Sequence, residues 1–142
     1  MDQPRYVSAT ARAATTLFQL PLSAIREITT ADPVFWRYLA VNVTLNMKTV
    51  IQRYDDLLIP DARRRVAAVL LRLSGYDEVG SPYADPEILM TQSEVAEITR
   101  LTRNGLAGVL ERLSGMVTVG YGHLTITDAK ALIRLVRDKQ DV

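Results

Sequence analysis

The 142-residue sequence has no cysteine and a single histidine, His123, and only 6% of it is aromatic. Without cysteine there is no disulfide framework, no iron–sulfur cluster and no thiolate zinc site. One histidine with no acids clustered around it supplies neither a catalytic triad nor a metal set. No apolar run is long enough to span a membrane. Met1-Asp2-Gln3-Pro4-Arg5 leads into no apolar stretch of the kind a signal peptide carries, so a cytoplasmic location is expected. Charge of either sign is also scarce in net terms. The chain carries +1, from 17 Lys+Arg against 16 Asp+Glu. Residues 88–142 repeat that balance, with seven Lys/Arg against six acids. A broad basic field is therefore excluded, and any nucleic-acid affinity must come from placed contacts and from dimerisation. No cofactor, metal or enzymatic activity is expected. Asp55-Asp56 and Glu94/Glu97 read as a helix C-terminal region and a capped first turn. Gly120-Tyr121-Gly122 lacks the Lys-Ser/Thr and the helix that a phosphate loop needs.

What the sequence does have is a dense set of helix signals between Thr91 and Leu113. Thr91 followed three residues later by Glu94 is a capping box that starts a helix, with Val95, Ala96 and Ile98 as its inward face. Thr99-Arg100-Leu101-Thr102 breaks the period and offers Thr102 as a second N-cap. The next helix starts at Arg103. Leu106, Val109, Leu110 and Leu113 form one apolar stripe on it, leaving Arg103, Asn104, Ala107, Gly108 and Glu111 on other faces. Met116–Val119 and His123–Ile126 are β-prone runs around Gly120-Tyr121-Gly122, which is a hairpin signal. Thr127-Asp128 then caps a last helix with Ala131, Leu132, Leu135 and Val136 inward. A helix-turn-helix followed by a hairpin is a winged helix, an architecture in which the second helix lies in the major groove of DNA and the hairpin sits near phosphates.

Upstream, Asp32-Pro33 offers a cap with proline at the first helical position, and a helical pattern runs to about Leu58. Trp36, Val43, Met47, Val50, Tyr54 and Leu57 fall seven, four, three, four and three apart, with Ala40 in the first gap. That is a coiled-coil seam of several heptads. A second stripe, Leu39, Leu45, Ile51 and Leu58, is placed to pack on the same subunit. The competing reading is that both stripes are monomer core. Pro60-Asp61 restarts the chain as a helix from Ala62 to Leu73. Its Arg63-Arg64-Arg65 run fans round the helix rather than lining one face, so a solvated face or pairing with Asp55, Asp56 and Asp61 is preferred to nucleic-acid binding. Tyr76–Pro86 reads as a loop and Ile88-Leu89-Met90 as a short strand beside the wing.

The heptad helix, Asp61–Leu73, Met90–Ala96 and Leu124–Asp128 together resemble the C-terminal part of Crp/Fnr-type transcription regulators, over about residues 4–137. Tyr6–Ala13 and Leu17–Pro21 look like the last strands of that family's effector domain, with Leu22–Thr30 the helix before the long one. The implied fold is mainly α with a small β wing, a long dimerisation helix followed by a winged helix-turn-helix. Three segments are expected: 1–31 as a remnant of the effector domain, 32–59 as the dimerisation helix, and 60–142 as the DNA-binding domain. The resemblance implies a homodimer through residues 32–58, joined at Trp36, Val43, Met47, Val50, Tyr54 and Leu57, on a pseudo-palindromic double-stranded operator. RNA polymerase is a further contact the family suggests.

Carried over by position, Arg103, Asn104, Ala107 and Gly108 are the base-reading candidates. Thr91, Gln92, Thr102, Tyr121 and His123 are the phosphate candidates. Asn104 stands where many members have glutamate, Gly108 where many have a second arginine, Gly105 where threonine or serine is usual, and Arg100 where a turn glycine is common. The family's usual half-site therefore does not transfer. The barrel segment that binds a cyclic nucleotide would precede these strands, so no complete cyclic-nucleotide site is expected. Either the chain is a fragment or it is a naturally short regulator. The alternative function is a winged-helix protein-interaction module, or an antagonist that heterodimerises with full-length relatives.

Overall fold

In a computed structural model of the chain, residue 11 and residues 14–76 and 84–138 are described. The expected strand at Tyr6–Ala13, apart from Ala11, and most of the Tyr76–Pro86 loop lie outside them. Six helices and three strands follow in order: α1 Leu22–Ala31, α2 Phe35–Leu57, α3 Ala62–Leu73, β1 Glu87–Ile88, α4 Gln92–Ile98, α5 Arg103–Arg112, β2 Val117–Val119, β3 Leu124–Ile126 and α6 Ala129–Arg137. None of the helices among the described residues is long and apolar enough to cross a membrane. The chain divides into two compact units, Met1–Leu45 and Asn46–Val142.

In the first unit, Leu17-Phe18-Gln19-Leu20 form no strand, contrary to the sequence reading, and Leu17 and Phe18 are 83% and 97% exposed. A strand needs a partner for its backbone groups, and none is present for this one among the described residues. The start of α2 also differs. Asp32 accepts from the Val34 amide at 3.0 Å, and three bonds reaching back three residues (Phe35 to Asp32, Trp36 to Pro33, Arg37 to Val34) make a tight entry turn. Regular helix therefore begins two residues beyond the proline.

The second unit holds the core. Val66, Leu70, Val95, Leu106, Leu113, Leu124 and Leu132 are buried together, so α3, α4, α5, the sheet and α6 share one apolar interior. Each helix start is fixed locally. Asp61, Thr91, Thr102 and Asp128 accept from the amides of Arg64, Glu94, Gly105 and Ala131, and Glu94 accepts in return from the Thr91 amide at 2.7 Å. The sheet runs in the order β1-β3-β2, antiparallel throughout, with Leu124 opposite both Ile88 and Val119. The first strand is shorter and earlier than expected. Leu89 is 71% exposed, and the Met90 amide turns back to the Ile88 carbonyl at 2.8 Å.

Two helices end in the same way with different residues. After α3, Gly75 takes φ 74, and the amides of Gly75 and Tyr76 bond the carbonyls of Arg72 and Leu71. After α4, Arg100 takes φ 55, and the amides of Arg100 and Leu101 bond those of Glu97 and Ala96. Both are left-handed helix terminations, which favour glycine because a Cβ is crowded there. Arg100→Gly is therefore expected to raise stability by about 0.5–1 kcal/mol, relief of the left-handed strain exceeding glycine's extra chain entropy. A urea midpoint that stays put or falls would contradict this.

Candidate nucleic-acid interface

α5 shows one face to the core and the other to solvent. Leu106, Val109, Leu110 and Leu113 are buried, whereas Arg103, Asn104, Ala107, Gly108 and Glu111 are all exposed. At roughly 100° per residue, those five exposed residues span less than half of the helix circumference. The four base-reading candidates therefore share one accessible face at the start of the helix, and Glu111 joins them. Glu111 is absent from the base-reading candidates of the sequence, although its spacing of four from Ala107 places it on that face.

The two glycines of α5 are unlike. A Cβ on Gly105 would meet the Thr102 hydroxyl at 3.1 Å, the same group that accepts from the Gly105 amide. A Cβ on Gly108 would meet nothing within 4 Å.

The phosphate candidates also separate. The Thr91 hydroxyl is engaged in the capping box, donating to Glu94 Oε2 at 2.8 Å, and the Thr102 hydroxyl caps α5. Their contribution to an anion would come chiefly from backbone amides of the first helical turns. Gln92 is half-buried, and with Ala107, Glu111, Thr118 and Val119 it lines a shallow depression of about 380 Å³. That depression brings α4, α5 and the wing strand β2 together.

At the wing tip Tyr121 is fully exposed. The hairpin closes through the Gly120 amide and the His123 carbonyl at 2.9 Å, with Gly122 at φ 77. The His123 ring folds back over Gly120, where a Cβ would overlap the ring. Its Nδ1 lies 3.2 Å from the Tyr121 carbonyl. A carbonyl oxygen only accepts, so a hydrogen bond there requires the tautomer protonated at Nδ1. The other ring nitrogen lies 3.9 Å from Glu87 Oε1 on β1.

Two expectations are corrected. Ile98, predicted to face inward, is 38% exposed, because α4 turns only Val95 and Ala96 fully into the core. The Arg63–Arg65 run is neither a solvated face nor paired with neighbouring aspartates as expected. All three residues are half-buried. Arg64 Nη2 donates to the Val136 carbonyl at 3.0 Å, and Arg65 donates from Nε to Thr99 at 3.0 Å and from Nη1 to Ile59 at 2.7 Å. Those carbonyls lie at or just past the C-terminal ends of α6, α4 and α2, where acceptors lack partners within the helix and the dipole favours a cation. Asp61 caps α3, and Asp56 pairs with Arg72.

On α2 both stripes are uncovered in the single chain. Trp36, Val43, Met47, Val50 and Tyr54 are 57–64% exposed and Leu57 38%, while Leu45, Ile51 and Leu58 of the second stripe are 53–59% exposed. Contrary to the reading of both stripes as monomer core, neither belongs to the core of its own unit. Nor does the second stripe pack on its own subunit as expected, beyond the half-buried Leu39.

A three-helix core of α3, α4 and α5 with the β2–β3 hairpin behind it is a winged helix-turn-helix. Residues 64–135 match the family described as the Crp-like helix-turn-helix domain, and the chain belongs to that family. The fold recurs in a CRP/FNR-family transcriptional regulator from Thermus thermophilus, at 25% identity and TM-score 0.59 over 74% of this chain and 55% of that one. A CRP-family regulator from the same organism gives 22% and 0.57 over 82% and 55%. FixK2 from Bradyrhizobium japonicum gives 18% and 0.63 over 80% and 57%, and these last two likenesses are of fold alone. The chain thus spans about half the length of these solved structures. No curated protein matches it in sequence.

Proposed function

We propose that the protein is a sequence-specific DNA-binding transcriptional regulator that acts as a homodimer on a pseudo-palindromic operator. The observation that carries this reading is the face of α5. In a chain of the Crp-like helix-turn-helix family, Arg103, Asn104, Ala107 and Gly108 stand exposed on a helix whose opposite side is locked into the core. Such a helix enters the major groove by its N-terminal end. Arg103 reads a base edge there, its fork suited to guanine O6 and N7. Gln92, the first-turn amides after Thr91 and Thr102, and Tyr121 and His123 at the wing hold phosphates. Dimerisation uses residues 32–58, and the support is the uncovered heptad stripe on α2.

A second reading is favoured by Leu17 and Phe18, whose exposure leaves apolar surface in the first unit for a protein partner. On that reading the chain pairs with longer relatives through the same seam and antagonises them.

Selection of bound sequences from random duplex DNA at a fixed salt concentration separates the two. A regulator recovers a two-fold symmetric motif with half-sites about one helical turn apart. Recovery of no motif overturns the operator reading and leaves the protein-partner one.

A further inference from the structure

The arginines of α3 are disposed around the junction between α2 and the winged helix, all of it within the second unit. Four residues, Leu58-Ile59-Pro60-Asp61, connect α2 to α3. Asp56, in the last turn of α2, is buried and holds Arg72 of α3 through both carboxylate oxygens. Arg65 lies seven residues before Arg72, on the same side of α3. Its guanidinium takes the Ile59 carbonyl of the connection with one nitrogen and the Thr99 carbonyl with another. Thr99 is the C-cap of α4, itself fully buried, and begins the turn of the helix-turn-helix.

One side chain therefore bridges the connection and the turn from which the recognition helix departs. Deleting it removes both bonds at once, since both are made by the rigid fork of a single planar guanidinium. Arg72 fixes the preceding helical turn in the same frame. A connection of four residues with two arginine anchors has little freedom to swivel.

We propose that Arg65, assisted by the Asp56–Arg72 pair, is a positioning residue that sets the direction in which α2 leaves the winged helix. It thereby sets the separation and rotation of the two recognition helices in the dimer. This rests on the dimeric operator reading above. In it Arg65 touches no DNA and leaves each α5 face intact, so its effect falls on how two half-sites are read together. Affinity for one half-site does not depend on it.

The test has two arms. The first needs no DNA. Since the chain lacks cysteine, Asp55→Cys with Lys130→Cys gives two clean spin-label sites at exposed positions. Diluting labelled with unlabelled chain keeps the measured distance within one protomer. A single narrow distribution is expected with Arg65 in place, and Arg65→Gln is expected to broaden it about twofold. The milder Arg65→Lys, which keeps charge and stem and loses the fork, is expected to fall between, and it serves if the glutamine variant does not fold. The second arm uses the selected operator with one base pair inserted between half-sites. The parent protein is expected to lose about tenfold or more in affinity, and Arg65→Gln to lose much less while binding a lone half-site as before. A distribution that stays narrow in both variants overturns the proposal. So does a glutamine variant as spacing-sensitive as the parent. A parent with no sequence preference at all would count against the operator reading alone, and the distance distributions would still decide the role of Arg65.

Discussion

Met47→Glu is expected to leave the protein monomeric and to lower its affinity for a full two-fold site by roughly a hundredfold or more, with little loss at a half-site. The residue stands 57% exposed in the single chain, at the middle of the stripe that runs from Trp36 to Leu57. In a parallel pair of helices the same position of each chain meets its copy across the seam. Two carboxylates there would face each other with their water removed, which costs several kcal/mol per buried ion. In the monomer the same glutamate would point to solvent from a helix it suits, so folding is expected to be unchanged. Sedimentation velocity reads the outcome directly. An unaltered dimer in the variant would remove the seam from the proposal, whatever the DNA measurements gave.

The second large effect is expected from Arg103→Ala. Loss of a bidentate arginine–guanine contact is expected to weaken operator binding by about 1–3 kcal/mol per half-site and to relax preference at one base pair. If Arg103 instead touches only phosphate, binding falls about evenly for all sequences and the salt slope drops by about one. Stability is expected to hold or rise slightly in either case. Arg103 is the first residue of α5, where the helix dipole disfavours a cation, and alanine is the better helix former. Its side chain is exposed, outside the core. Equal affinity of mutant and parent for the selected operator, measured at one salt concentration, would rule out the base contact.

Features that depend on near neighbours in the chain were legible in the sequence. The capping box at Thr91 and Glu94, the caps at Thr102 and Asp128, and the apolar stripe of α5 each involve residues three or four apart. α3 was legible to the residue. The arginine run was not, because its acceptors lie far off in sequence. Thr99 is 34 residues from Arg65 and Val136 is 72 from Arg64, and they are backbone carbonyls with no side-chain signature. Ile98 misled because a helix of seven residues has too few repeats for its period to define a face. The strand expected at Leu17–Pro21 was implied by the family resemblance alone, and pairing depends on what lies alongside. The second stripe of α2 shows the same limit. Composition marks it as a surface to be covered and does not say by what.

Gly108 and Gly105 give α5 an uneven freedom to change. At Gly105 an added Cβ meets the hydroxyl that caps the helix at 3.1 Å, so the Thr102 side chain must give by a few tenths of an ångström to admit it. At Gly108 the space beyond Cα is empty, and new side chains can be tried at no cost to the core. If α5 reads an operator as proposed, divergence of preference among close copies would run through Gly108, where a helix-forming side chain meets no part of the core.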